Sequence, residues 1–180
     1  MEREILERLC PGKRIIFNRN GKDVKISVMA KRIASLIHLW NNKYYPIVIL
    51  VDLEDRKITN QQMAQQLEDC LIKEGIRSKE LIIGVADQMT ENWIIADWER
   101  LTGNIKGKPA NTDGNNGSTV IKKIKGRSYG KRKTTDGVKL FLAARPEVMY
   151  ANSPSYRAFV DQLTDIECPH LRFLKKEPLE

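Results

Sequence analysis

The sequence predicts an α/β domain whose mostly parallel sheet is flanked by helices, and three observations carry that prediction. Two runs, "IVILV" at 47–51 and "LIIGVA" at 81–86, are apolar without alternation, the pattern of strands covered on both faces. Segments with apolar residues at helical spacing separate and follow them. Acids arrive as soon as each run ends, with Asp52, Glu54 and Asp55 after the first and Asp87 after the second. Parallel sheets keep their functional sites beyond the carboxyl ends of the strands. A chain of 180 residues fits one domain, 1–180, with a long basic Gly/Asn/Lys-rich insertion at about 104–137.

Taken in order, residues 3–9 read as a short helix with Ile5, Leu6 and Leu9 on one side, stopped by Pro11 and Gly12. Lys13 to Phe17 reads as a short strand, and Asn20-Gly21 as a hairpin turn. Val24, Ile26 and Val28 alternate like a strand, but Met29, Ile33, Ile37 and Trp40 take over at helical spacing. Strand Ile47–Asp52 follows. Thr59 and Gln62 form a capping box for a helix through about Lys73, which Gly75 ends. After the strand Leu81–Ala86, Thr90 is placed to cap a helix through Leu101, closed by Gly103. The segment 103–137 holds seven of the chain's eleven glycines and reads as a long loop. Two more helices are expected, Val138–Ala144 and one capped by Ser153 with Pro154 in its first turn, through Leu163. A last short strand is expected around Leu171–Leu174.

Net charge becomes informative once it is located. The formal charge is +8, and residues 104–133 hold nine bases against a single acid, Asp113. Those bases are Lys106, Lys108, Lys122, Lys123, Lys125, Arg127, Lys131, Arg132 and Lys133. The rest of the chain is balanced, so the basicity is a local device. It suits nucleic acid, because each Lys or Arg at a phosphate releases a counterion; a solvated loop kept for solubility is the plainer explanation. No apolar run reaches the roughly 20 residues of a membrane helix, and "MEREIL" is charged from its second residue, unlike a signal peptide. Cys10, Cys70 and Cys168 form no CxxC pair, which suits a reducing, cytoplasmic setting.

The acids offer more specific chemistry. On an extended backbone Asp52 and Glu54 point the same way. Two like charges so placed repel unless a cation lies between them. Magnesium, or manganese in its place, suits oxygen ligands and keeps waters that leave room for a phosphate. Asp55 is a spare ligand. The plainer reading is that these acids solvate a strand-to-helix loop or favour a helix N-terminus. Other chemistries fall away: there is no GxxxxGK[ST], no GxGxxG, and neither His38 nor His170 has an evident nucleophile. Glu91 lies on the first turn after the second strand, at the same rim, where it either complements a helix dipole or takes part in the site. Trp93 and Trp98 are expected in or near the core.

Read together, "PIVILVDLEDR", "IIGVADQMTENWIIADWERL", "SYGKRKTTDG" and "NSPSYRAFVDQL" resemble the small Toprim-like proteins of bacterial genomes, related to the nuclease domains of overcoming-lysogenisation-defect (OLD-type) proteins. The resemblance covers about residues 2–165. It implies a Toprim-like, Rossmann-like three-layer fold and a magnesium site built from a first-strand glutamate and a D-x-D pair. That pair here reads Asp52-Leu53-Glu54. It also implies that Glu91 is the acid of an E-x-W segment and that Lys131 contacts phosphate. Glu2 matches the second glutamate of the family's V-E-G-x-x-E pattern, so the chain as given lacks the family's first strand and its first glutamate. Relatives associated with phage defence suggest that role here. Two functions are therefore expected to compete: a magnesium-dependent nuclease, and a non-catalytic domain that binds nucleic acid or a protein partner, with a homodimer allowed.

Overall fold

The computed structural model describes residues 23–39, 46–78, 81–126, 129 and 133–163. The expected helix 3–9, strand Lys13–Phe17, Asn20-Gly21 turn and strand Leu171–Leu174 lie outside the described residues.

The helical spacing wins in the first described segment. Helix α1, Ile26–Leu39, buries Met29, Ala30, Ala34 and Ile37, and the Val24/Ile26/Val28 alternation does not form a strand. Strand β1, Ile47–Asp52, then leads to helix α2, Asn60–Lys73. The predicted capping box is present: the Thr59 hydroxyl accepts from the Gln62 N–H at 3.1 Å, and the Thr59 N–H donates to Gln62 Oε1 at 2.9 Å. Strand β2, Leu81–Ala86, pairs with β1 in parallel, from Ile47 opposite Leu81 to Asp52 opposite Ala86.

This two-stranded parallel sheet separates two cores, which explains the missing alternation. Ile49, Val51, Ile83 and Val85 face α1 and α2. Val48, Leu50 and Ile82 face the other side, against Trp93, Phe141, Met149 and Phe159. Each such side chain withdrawn from water contributes about 1.5–3 kcal/mol, so both faces must be apolar.

The second core is built by short helices: α3 (Glu91–Ala96), α4 (Trp98–Thr102), α5 (Gly117–Lys125), α6 (Lys133–Ala143), α7 (Pro146–Asn152) and α8 (Pro154–Val160), with a 3-10 turn at Asp161–Leu163. The described residues thus form eight helices around two strands, an α/β arrangement. Trp93 anchors this core as expected. It stacks on Phe159 at 5.6 Å, meets Tyr156 edge-on at 5.2 Å, and donates Nε1–H to Ser155 Oγ at 2.9 Å. The strand beneath is glycine at 84, where an added Cβ would lie 2.4 Å from the Phe159 ring and would have to displace it. On the outer edge of β2 the Gln162 amide takes the place of a strand, accepting from the Ile83 N–H at 3.2 Å and donating to its carbonyl at 3.1 Å.

Five expectations change. The helix expected from Thr90 to Leu101 breaks at Asp97, whose side chain accepts from the Arg100 N–H and caps α4. Thr90 itself has helical backbone and makes no side-chain cap. The segment read as one long loop contains α5, where Val120, Ile121 and Ile124 turn inward at helical spacing among lysines and glycines. Helix α6 likewise starts at Lys133 rather than Val138, and α7, which begins at Pro146, was not anticipated.

Candidate functional site

The carboxyl edge of the β1–β2 pair is built by hydrogen bonds that continue past the strands. The Leu53 N–H donates to the Ala86 carbonyl at 2.9 Å, and the Glu54 N–H to the Gln88 carbonyl at 2.7 Å. Glu54 and Gln88 both adopt left-handed backbone, with φ of 55° and 57°. Such angles cost a non-glycine residue about 1 kcal/mol or more, so the surrounding contacts hold the two loops in place. Glu54 therefore does not stand where an extended backbone would put it. The strand ends at Asp52 and Glu54 leaves it left-handed, so the two-residue period that put both side chains on one side does not extend to Glu54. Glu54 is half-buried and Asp55 exposed.

Asp52 reaches across to the next strand's loop. Its Oδ1 accepts from the Thr90 N–H at 2.8 Å, one residue before α3 begins. Glu91, the next residue, is fully buried. The Tyr129 hydroxyl lies beside it, and burial, followed by the charge and hydrogen bonding of Glu91, raises that hydroxyl's pKa well above the ordinary tyrosine range. Asp136 adds to the same effect.

A second pair of acids stands on the same rim. Burial, then the charge of Asp113, raises the Asp87 pKa, with the Gln88 N–H offsetting part of it. Asp113 is held by Ser153 Oγ at 2.8 Å and the Ser155 N–H at 2.7 Å, at the start of α8. The loop carrying Asp113 is fastened to the turn after β2. Gln88 Nε2 donates to the Gly114 carbonyl, and Asn92 Nδ2 donates to the Asp87 and Asn115 carbonyls, each at 2.8 Å. Gly117 closes the contact: a Cβ there would lie 2.4 Å from Asn92 Oδ1 and 2.8 Å from the Asn92 backbone nitrogen. So the start of α5 sits directly on the start of α3.

That docking fixes where the basic residues go. Lys122, Lys123 and Lys125 are exposed on the last turns of α5, about 7–12 Å along the helix from its docked start. Lys106 and Lys108 are exposed elsewhere, on the loop that leaves α4. There the Lys106 carbonyl accepts from Trp98 Nε1 at 2.9 Å, and Lys108 Nζ donates to Asn152 Oδ1 at 2.8 Å. The predicted basic set is therefore divided between two places. Glu2, Arg127, Lys131 and Arg132 lie outside the described residues. Lys133 opens α6, and its side chain is likewise not described.

Asp97 is a buried acid of a different kind. Burial works to raise its pKa, but hydrogen bonds from the Arg145 side chain and N–H, and from the Arg100 N–H, hold it below the ordinary range. Arg145 meets it at 2.6 Å and also reaches Glu99 at 2.8 Å. This pair locks α4 to the start of α7 and has no place at the rim.

Among the described residues no three His, Cys, Asp or Glu side chains gather into a group able to hold a metal ion. Their carboxylates still offer the hard oxygen donors that magnesium prefers, and magnesium is commonly held by one or two carboxylates together with waters and a substrate phosphate. Asp113 and Tyr129 were missed from the sequence, although each carried a signal. Asp113 is the lone acid of the basic segment 104–133, and Tyr129 is its lone aromatic residue. No described helix is long and apolar enough to cross a membrane.

The family model described as "Domain of unknown function (DUF4276)" matches residues 2–164. No curated protein and no solved structure matches the chain.

Proposed function

We propose that this chain, which belongs to the DUF4276 family, is a Toprim-like nuclease, dependent on magnesium or manganese, that acts at the carboxyl edge of its parallel strand pair. The observation that carries the reading is the docking of α5 on α3. It seats the start of α5, whose last turn carries three exposed lysines, against the start of α3, where Glu91 is buried and the Thr90 N–H reaches Asp52 at the end of β1. A carboxylate rim beside a basic helix suits a substrate that is itself a polyanion.

In this reading Asp52 and Glu54 hold the ion, Asp55 assists from the surface, and Glu91 shapes the site from beneath. The ion would supply charge neutralisation at a scissile phosphate and an activated water. Lys122, Lys123 and Lys125 grip the backbone of the nucleic acid, and Lys131 and Glu2 complete the set that the family resemblance implies. Because the described carboxylates alone make an incomplete ligand set, magnesium is expected to bind weakly until substrate phosphate arrives. A role in phage defence belongs to the same proposal and rests on the resemblance alone.

A second reading keeps the nucleic acid and drops the catalysis. It is favoured by the hydrogen bond from the Thr90 N–H to Asp52, which gives that acid a structural use. The test is incubation of the purified protein with single- and double-stranded DNA and RNA in magnesium, in manganese and in EDTA. Cleavage that EDTA abolishes supports the nuclease. Salt-sensitive binding without cleavage under any of these conditions contradicts it and leaves the binding domain.

A further inference from the structure

The loop that leaves α4 is held in one shape by its own hydrogen bonds. The Asn104 N–H donates to Thr102 Oγ1 at 3.1 Å, and the Lys106 N–H to Asn104 Oδ1 at 2.8 Å. Trp98 Nε1 holds the Lys106 carbonyl, and Gly107, left-handed at φ 76°, passes beside the Trp98 ring. Asn152, which takes Lys108 Nζ, also accepts from Thr112 Oγ1 on its carbonyl at 2.8 Å, and the next residue, Ser153, holds Asp113. The loop is therefore fastened to the junction that carries a rim acid. Ile105 stands in it 72% exposed, and among the described residues it belongs to neither apolar core. Residues 103–108 hold Lys106 and Lys108, both exposed, and no acid. A turn gains nothing from a branched apolar side chain; asparagine or serine serves there better.

We infer that Ile105 is a wedge for duplex DNA: it enters between base pairs from the minor groove while Lys106 and Lys108 meet the neighbouring phosphates. Proteins that bend DNA use apolar side chains in this way, opening a base step to gain contact along the backbone. A loop already set in shape suits the task, because little order is lost when it binds. The lysines match the negative charge of the groove walls. A lipid surface also offers negative charge over an apolar depth. One isoleucine is too little to hold a protein there, since even a whole myristoyl chain binds only marginally. The inference rests on the nucleic-acid contact proposed above and is independent of cleavage.

Duplex DNA with 2-aminopurine at TA steps, which open easily, reports unstacking as a rise in fluorescence, and EDTA keeps it uncut. Wild type should bind it and raise the fluorescence. Ile105→Ser should bind about 10-fold more weakly and lose the rise, with an unchanged salt slope; Ile105→Leu should restore both. Because Ile105 is exposed, neither variant should shift the thermal midpoint. Replacing Lys106 and Lys108 with alanine should instead lower the salt slope, by about 1 each. Equal affinity and fluorescence for wild type and Ile105→Ser overturn the wedge and leave the nucleic-acid function standing, as does binding of single strands alone. Wild type that binds neither duplex nor single strands overturns both. Binding to phosphatidylserine vesicles that depends on Ile105, with duplex affinity unchanged by Ile105→Ser, overturns the wedge in favour of a lipid surface.

Discussion

Asp52 has two uses that substitution can separate. Its Oδ1 accepts from the Thr90 N–H, and in the proposed site its charge holds the ion. Asparagine keeps the acceptor and loses the charge, whereas alanine loses both. Asp52→Asn should therefore keep the wild-type melting temperature, and Asp52→Ala should lose about 1 kcal/mol, the usual net worth of such a hydrogen bond; thermal denaturation of the two variants decides it. Asp87 gives a pH prediction with a definite sign. Its folded pKa is raised by burial and by Asp113, so the folded state holds the proton more tightly than the unfolded chain. Stability is then lost as pH rises from the ordinary carboxylate pKa of about 3.9 through the raised folded value. Asp87→Asn should raise the denaturation midpoint at pH 7 and give no gain near pH 3. An equal gain at both values would contradict the Asp87–Asp113 coupling. At this scale the sequence was half legible. Asp52, Glu91 and Asp87 could be placed at one rim because Asp52 ends one strand and the other two follow the next strand closely. Glu54 could not, because a left-handed turn at a glutamate leaves no sequence signal.

The strands were the most legible elements, since a run without alternation has few folded uses other than burial on both faces. The Thr59/Gln62 capping box was legible for the same reason: its chemistry is local. Helix α5 was hidden because its three inward residues, Val120, Ile121 and Ile124, lie among lysines and follow a glycine- and asparagine-rich loop. Besides the Asn116 cap, which accepts from the Thr119 N–H, that short stretch depends on contact with α3, and contact is not written locally. Its docking can be tested by comparing two glycines. At Gly84 an added methyl meets a Phe159 ring that can tilt; at Gly117 it meets the backbone of Asn92 and Glu91 as well as Asn92 Oδ1. Gly84→Ala should cost about 1 kcal/mol and Gly117→Ala about 3 kcal/mol, the two ends of the usual overpacking range, read by chemical denaturation. The reverse order would mean that α5 does not sit on α3 as described.

For the whole molecule, the decisive property is the separation of charge: a basic segment of nine bases and one acid on an otherwise balanced chain. The sequence located that charge but could not divide it, and the fold sends Lys122, Lys123 and Lys125 to α5 and Lys106 and Lys108 to the loop beside α7. If α5 is the grip, replacing its three lysines with alanine should lower the slope of log affinity against log salt by about 3, roughly 1 per phosphate contact. The same change at Lys106 and Lys108 should do less. The two-sided α/β architecture was legible because both strands demand two covers, while the order of the short helices on the second face depends on side chains far apart in sequence. The measurement that bears most directly on the proposed function is cleavage of DNA and RNA in manganese by wild type and Asp52→Asn, at matched stability and matched substrate binding. Wild type should show EDTA-sensitive cleavage that Asp52→Asn loses. Equal cleavage by both proteins, or none by wild type, would contradict the proposed function.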